Sequence, residues 1–111
     1  MTGYVTIREN RDFRRAYSRG KYYVSPILVT YVVKNRSGLL RTGITTSKKT
    51  GNAVRRSRSR RVIRAAFRPL SGRVAGGCDL VFVARARTPM AKSQQVRRAM
   101  ERHLKAAGVL R

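Results

Sequence analysis

The sequence predicts an α+β fold in which helices pack on a central sheet, with elements in the order α-β-β-β-α-β-α. Apolar residues recur at i, i+3 and i+4 spacing in three segments, Phe13–Tyr17, Ile63–Leu70 and Val96–Ala107, as core-facing helices require. Runs rich in β-branched and aromatic residues, ILVTYVVK at Ile27–Lys34 and DLVFVA at Asp79–Ala84, alternate with them. The 111 residues, 41% of them hydrophobic, can build one modest core and not two, so a single domain over residues 1–111 is expected.

The first helix, Arg11–Ser18, follows Asn10 as its expected cap and stops at Gly20, with Phe13, Ala16 and Tyr17 on one face. Lys21–Val24 forms a first strand. Along Ile27–Lys34 the alternation of side chains sets Ile27, Val29, Tyr31 and Val33 on one face and Leu28, Thr30, Val32 and Lys34 on the other. Asn35–Gly38 reads as a turn, so Leu39–Thr45 is expected to return antiparallel as a hairpin. Thr46–Gly51 (TSKKTG) leads into a helix that Pro69 must end soon after Arg68. Ile63, Ala66, Phe67 and Leu70 make its core stripe, while Ser57, Arg61, Arg64 and Arg68 fall together on the other side with Arg58 beside them. The helix lies between Leu39–Thr45 and the buried strand Asp79–Ala84, so a crossover to a parallel neighbour is expected. The last helix, about Lys92–Ala107, carries Val96, Ala99, Met100, His103, Leu104 and Ala107 on one stripe and meets Gly108 as its stop.

Charge bounds the function. Lys and Arg number 27 against 4 Asp and Glu, a formal net charge of +23, and so dense a positive charge in a small fold calls for a polyanion to neutralise it. Nucleic acid is the expected partner. An anionic membrane surface competes, but it usually attracts a basic amphipathic helix or tail rather than charge spread from Arg8 to Arg111. No apolar run reaches the ~20 residues of a membrane span and the N-terminus lacks a signal-peptide pattern, so a cytoplasmic protein with no membrane partner and no small-molecule substrate is expected. The lone Cys78 can form no intrachain disulfide and is expected to be a small buried residue.

The acids Glu9, Asp12, Asp79 and Glu101 are too few and too scattered for a metal-dependent nuclease site of the protein's own. Glu9 and Asp12 are expected to complement a helix N-terminus, and His103, on an apolar stripe, to be a satisfied core or flanking residue rather than a general base. The arginine helix is the exception to a bland reading. A solvated helix usually mixes Glu with Lys, whereas Arg55, Arg56, Arg58, Arg60, Arg61, Arg64 and Arg68 have no acid among them. Guanidinium groups grip phosphate bidentately and stack on bases, which suits a structured RNA. The RSRSRR run also looks like a fragment of a disordered Arg/Ser repeat, but it flows directly into VIRAAFR with its core stripe.

Ser47–Arg68, SKKTGNAVRRSRSRRVIRAAFR, resembles the signature of the ribonuclease P protein family, Lys-Lys-x-Gly-x-Ala-Val-x-Arg-Asn-Arg-x-Lys-Arg followed by Arg-x-x-Phe. Glu9–Gly20, Leu28–Val33, Gly43–Ser47 and Asp79–Arg85 resemble the family's first helix, central strands and late strand in the same order. The resemblance implies a two-layer sandwich with a mostly antiparallel central sheet and a left-handed β-α-β crossover. It implies that Lys48, Lys49, Arg56, Arg58, Arg60, Arg61 and Arg64 contact a catalytic RNA subunit, joined by Ser57 and Arg68 on the same helix. Ser57 stands where the family usually has Asn, and a hydroxyl offers less hydrogen bonding than an amide. It further implies that Phe13, Tyr17, Val29 and Tyr31 line a cleft for the single-stranded 5′ leader of precursor tRNA. The chain would then be an enzyme only as the protein subunit of a ribonucleoprotein, with Mg2+ held mainly by the RNA and no catalytic residue of its own. A ribosomal or RNA-assembly protein with no part in a reaction is the competing expectation.

Overall fold

The computed structural model describes residues 4–111. Its elements are β1 (Val5–Thr6), α1 (Asn10–Arg19), β2 (Lys21–Ser25), β3 (Leu28–Lys34), β4 (Leu40–Thr45), α2 (Ala53–Phe67), β5 (Cys78–Ala84) and α3 (Ser93–Ala106). All the expected elements form. The addition is β1, whose two residues are too few to produce a sequence pattern.

The five strands lie in the order β1-β4-β5-β3-β2. β2 and β3 form an antiparallel hairpin across the two-residue connection Pro26–Ile27, and β3 pairs antiparallel with β5 along its whole length. β4 pairs parallel with β5, as the intervening helix requires, and β1 pairs parallel with β4. The expected hairpin between Ile27–Lys34 and Leu39–Thr45 does not form, because β5 inserts between the two strands. The turn holds them apart. Asn35 N–H donates to the Gly77 carbonyl and Gly77 N–H donates to the Leu39 carbonyl, so the start of β5 fills the mouth of the turn.

Successive side chains of a strand point to opposite faces, and each face builds its own core. On one face Leu28, Leu40, Leu80 and Phe82 pack against Ile63 and Phe67 of α2 and Val96, Met100 and Leu104 of α3. On the other, Ala16 of α1 packs with Ile7 and Val81, flanked by Phe13, Tyr31, Val33 and Val83. The expected sandwich of sheet and helices is therefore present, and α1 adds a partial layer on the second face. Ile27 departs from its expected place: it lies in the turn before β3 and packs on the α2/α3 side instead of with Val29 and Tyr31. Asn10 is the first residue of α1 and not its cap, which falls on Glu9, whose side chain makes no capping bond to a helix backbone N–H.

Two glycines let α1 lie close to the sheet. A Cβ on Gly43 of β4 would come within 2.6 Å of the Phe13 ring, and one on Gly20, at the end of α1, within 3.1 Å of the Val32 carbonyl oxygen of β3. Gly20 has an extended backbone, so its need is for space rather than for a left-handed turn.

Candidate RNA-binding surfaces

α2 starts at Asn52, whose side-chain oxygen accepts from Arg55 N–H. Ile63, Ala66 and Phe67 are buried, and this fixes the rotation of the helix. Arg55, Ser57, Arg58, Arg61, Arg64 and Arg68 consequently project into solvent. Arg56 and Arg60 are half-buried and serve the fold as well. Arg56 donates to the Gly51 carbonyl at 3.0 Å, and Arg60 donates to Thr46 Oγ1 at 2.9 Å. Both bonds fasten α2 to the segment before it. There Lys48 and Lys49 stand exposed on a single 3-10 turn, closed by Ser47 and Thr50 in a reciprocal cap. The RNA-contact positions expected from sequence thus lie on α2 and the turn before it, a cationic stretch that is exposed except at half-buried Arg56 and Arg60.

No carboxylate neutralises it. Among the described residues the four acids pair with Arg11, Arg41 and Arg97: Glu9 with Arg11, Asp12 and Asp79 with Arg41, and Glu101 with Arg97. Arg41 grips the fully buried Asp79 bidentately, its Nε donating at 2.8 Å and its Nη2 at 2.7 Å, and reaches Asp12 of α1 at 3.2 Å. Burial by itself would raise the Asp79 pKa, but the bonds from Arg41 and Asn35 outweigh it and hold the carboxyl below its usual range. Asp12 therefore docks α1 on the sheet, beyond complementing the helix dipole.

The second surface lies on the face that α1 half covers. Asn10, Phe13, Arg14 and Tyr17 of α1 form one wall of a groove, with Ile44, Thr45, Thr46 and Arg60 opposite. The Tyr17 hydroxyl donates to Thr45 Oγ1 at 3.1 Å across it. Tyr31 meets Tyr17 edge to face, with ring centroids 5.0 Å apart, and lies on the sheet beyond the groove. Val29 is half-buried two residues along β3, opposite Val83. Phe13, Tyr17 and Tyr31 are thus brought together, and Val29 adjoins them on the open sheet.

The remaining titratable groups fit packing. His103 is buried, stacks on Tyr23 and has Nδ1 2.8 Å from the Thr30 hydroxyl; burial, then Arg102, lowers its pKa. Cys78 is buried at the start of β5, and burial raises its thiol pKa. Among the described residues no three of His, Cys, Asp and Glu gather into a metal-binding group, and with each acid engaged by an arginine the side chains do not fit a resident divalent ion. No helix among them is long and apolar enough to cross a membrane.

The family model for ribonuclease P matches residues 1–108. The chain belongs to the ribonuclease P protein family. Ribonuclease P protein components of Clostridium botulinum and Clostridium novyi are 39% and 41% identical to it, each alignment covering 93% of this chain and 94% and 93% of the relative. The ribonuclease P protein of Staphylococcus aureus superposes with a TM-score of 0.81 at 31% identity, covering 98% of this chain and 100% of that one. That of Thermotoga maritima gives 0.79 at 28% identity, covering 91% and 96%. Membership places this ribonuclease P protein in tRNA processing and RNA binding.

Sequence reading missed two exposed residues of this family member, Tyr22 and Val24, and half-buried Val83, which share the face of Tyr31 and Val29. The signal was present. Given the two-residue connection Pro26–Ile27, pairing Ser25 with Leu28 sets Tyr22 opposite Tyr31 and Val24 opposite Val29. The Arg41–Asp79 pair was not readable, since its partners lie on strands joined through a helix.

Proposed function

We propose that this chain is the protein subunit of ribonuclease P, binding the catalytic RNA subunit through its cationic α2 surface and the 5′ leader of precursor tRNA through the aromatic groove. The observation that carries the reading is the pairing of two separate surfaces of different chemistry. Lys48, Lys49, Arg58, Arg61, Arg64 and Arg68 present charge with no acid to pair it, the arrangement that neutralises phosphates of a folded RNA by counterion release. Phe13, Tyr17 and Tyr31 with Arg14 and Arg60 offer rings and charge together, which suits unpaired nucleotides and tolerates sequence variation.

The reaction is hydrolysis of one phosphodiester bond, leaving a 5′-phosphate on the tRNA and a 3′-hydroxyl on the released leader. In this reading Mg2+ held by the RNA subunit would supply Lewis-acid chemistry for the hydrolysis. The protein contributes binding. Its arginines lower the repulsion between two RNAs, and its groove retains the leader. The work belongs in the cytoplasm, where precursor tRNA is processed.

Purified protein should show no cleavage of precursor tRNA alone and should support cleavage at low magnesium once the RNA subunit is added. Cleavage by the protein alone would overturn the division of labour. No stimulation of the RNA subunit would favour a structural RNA-binding role.

A further inference from the structure

We propose that Tyr22 and Val24 of the edge strand β2 extend the leader-binding surface beyond Tyr31, so that this protein holds at least one more unpaired nucleotide than its groove alone accommodates. The inference rests on the leader reading above.

The β2–β3 register places Tyr22 directly opposite Tyr31 and Val24 opposite Val29, on the face that carries the groove. Tyr31 touches rings on both neighbouring elements, Tyr17 at 5.0 Å and Tyr22 at 5.7 Å between centroids. Exposure is high along this row: Tyr17 is 41% exposed, Val24 56% and Tyr22 64%. A single exposed aromatic needs no explanation, but a contiguous aromatic and aliphatic strip beside a binding groove does. The 5.7 Å between the Tyr31 and Tyr22 rings is a span that one nucleotide step covers.

Charge selects the occupant. The acids on this face, Asp12 and Asp79, are both held by Arg41, and Asp79 is fully buried. Exposed Arg14 and Arg19 stand on α1, the helix that lies on this face. A surface of rings flanked by cations matches single-stranded nucleic acid. Direction follows from the groove. Arg60 of α2 stands at its far wall, and the row Phe13, Tyr17, Tyr31, Tyr22 leads away from α2, the surface assigned to the RNA subunit. Tyr22 therefore meets nucleotides farther from the cleavage site than Tyr31 does.

The test uses holoenzyme reconstituted with wild-type, Y22A, Y22F and Y31A protein, and measures affinity for precursor tRNAs with a graded set of leader lengths and for mature tRNA. Y31A should weaken binding from a short leader onward. Y22A should weaken it about fivefold, the low end of the stacking range, only once the leader is at least one nucleotide longer. Y22F should bind like wild type, and an exposed edge position should leave the melting temperature of Y22A unchanged. If Y31A loses affinity and Y22A does not at any length, the extension is wrong and the groove reading stands. If neither variant depends on leader length, the groove reading itself fails. Self-association of the free protein that Y22A abolishes, with leader affinity untouched, would assign β2 to a second copy and overturn the proposal.

Discussion

Replacing Arg61 and Arg64 with alanine removes two guanidinium groups for which the fold has no use. Both are exposed, and neither pairs with an acid among the described residues. Alanine is the better helix former, so α2 should persist. If each arginine neutralises one phosphate of the RNA subunit, the pair contributes about 1.4 to 1.8 to the magnitude of the log affinity against log salt slope. With binding near 1 M salt unchanged, the same slope loss at about 0.1 M corresponds to an affinity about 25- to 60-fold weaker, or about 2 kcal/mol. Filter binding or fluorescence titration of the RNA subunit over a salt series measures slope and affinity together. The control removes the same charge elsewhere, at exposed Arg36 and Arg87. An unchanged slope in the α2 variant, or an equal loss in the control, would refute a local contact and leave only the general attraction of a +23 protein for RNA.

Two further predictions concern stability. Arg41→Met strands the fully buried Asp79 with only Asn35 for company and should cost about 3 kcal/mol in chemical denaturation, while adding Asp79→Leu should recover much of it; a near-neutral single variant would show that the pair is not what docks α1 and β4. His103 is held neutral by burial with its pKa below the ordinary 6.5, so the unfolded chain takes up a proton that the folded one refuses. Stability should then be full above about pH 6.5 and decline as pH falls below it, a window separate from that of Asp79, which opens only below its usual 3.8; melting curves of wild type and His103→Gln that fall in parallel between about pH 7 and 5 would contradict this.

Much of this protein was legible along the chain, because the informative signals are local. Helical spacing at Ile63, Ala66, Phe67 and Leu70 settles which side of α2 is buried, and with it which arginines face solvent. Alternation along Leu28–Lys34 separates Thr30 from Tyr31, and each is found on the expected face. The Ser47–Arg68 motif pointed to the family without reference to any contact. Arg56 and Arg60 mark where that reading thins: it lists them with the other arginines, whereas their bonds to Gly51 and Thr46 give them a second task.

What the tertiary structure alone decided is which strand lies between β3 and β4. From sequence, Leu39–Thr45 follows a turn and is read as the partner of the strand before it; in the fold β5, more than thirty residues on, takes that place. A turn records its own geometry but not what a later segment does at its mouth, and a two-residue strand such as β1 has no period to record. The Arg41–Asp79–Asp12 cluster, the approach of Phe13 to Gly43 and the row of Tyr17, Tyr31 and Tyr22 all depend on that strand order or on the docking of α1. Periodicity assigns a residue to a face of its own element. Which faces meet is settled by the competition among whole surfaces for burial, and that is a property of the assembled chain.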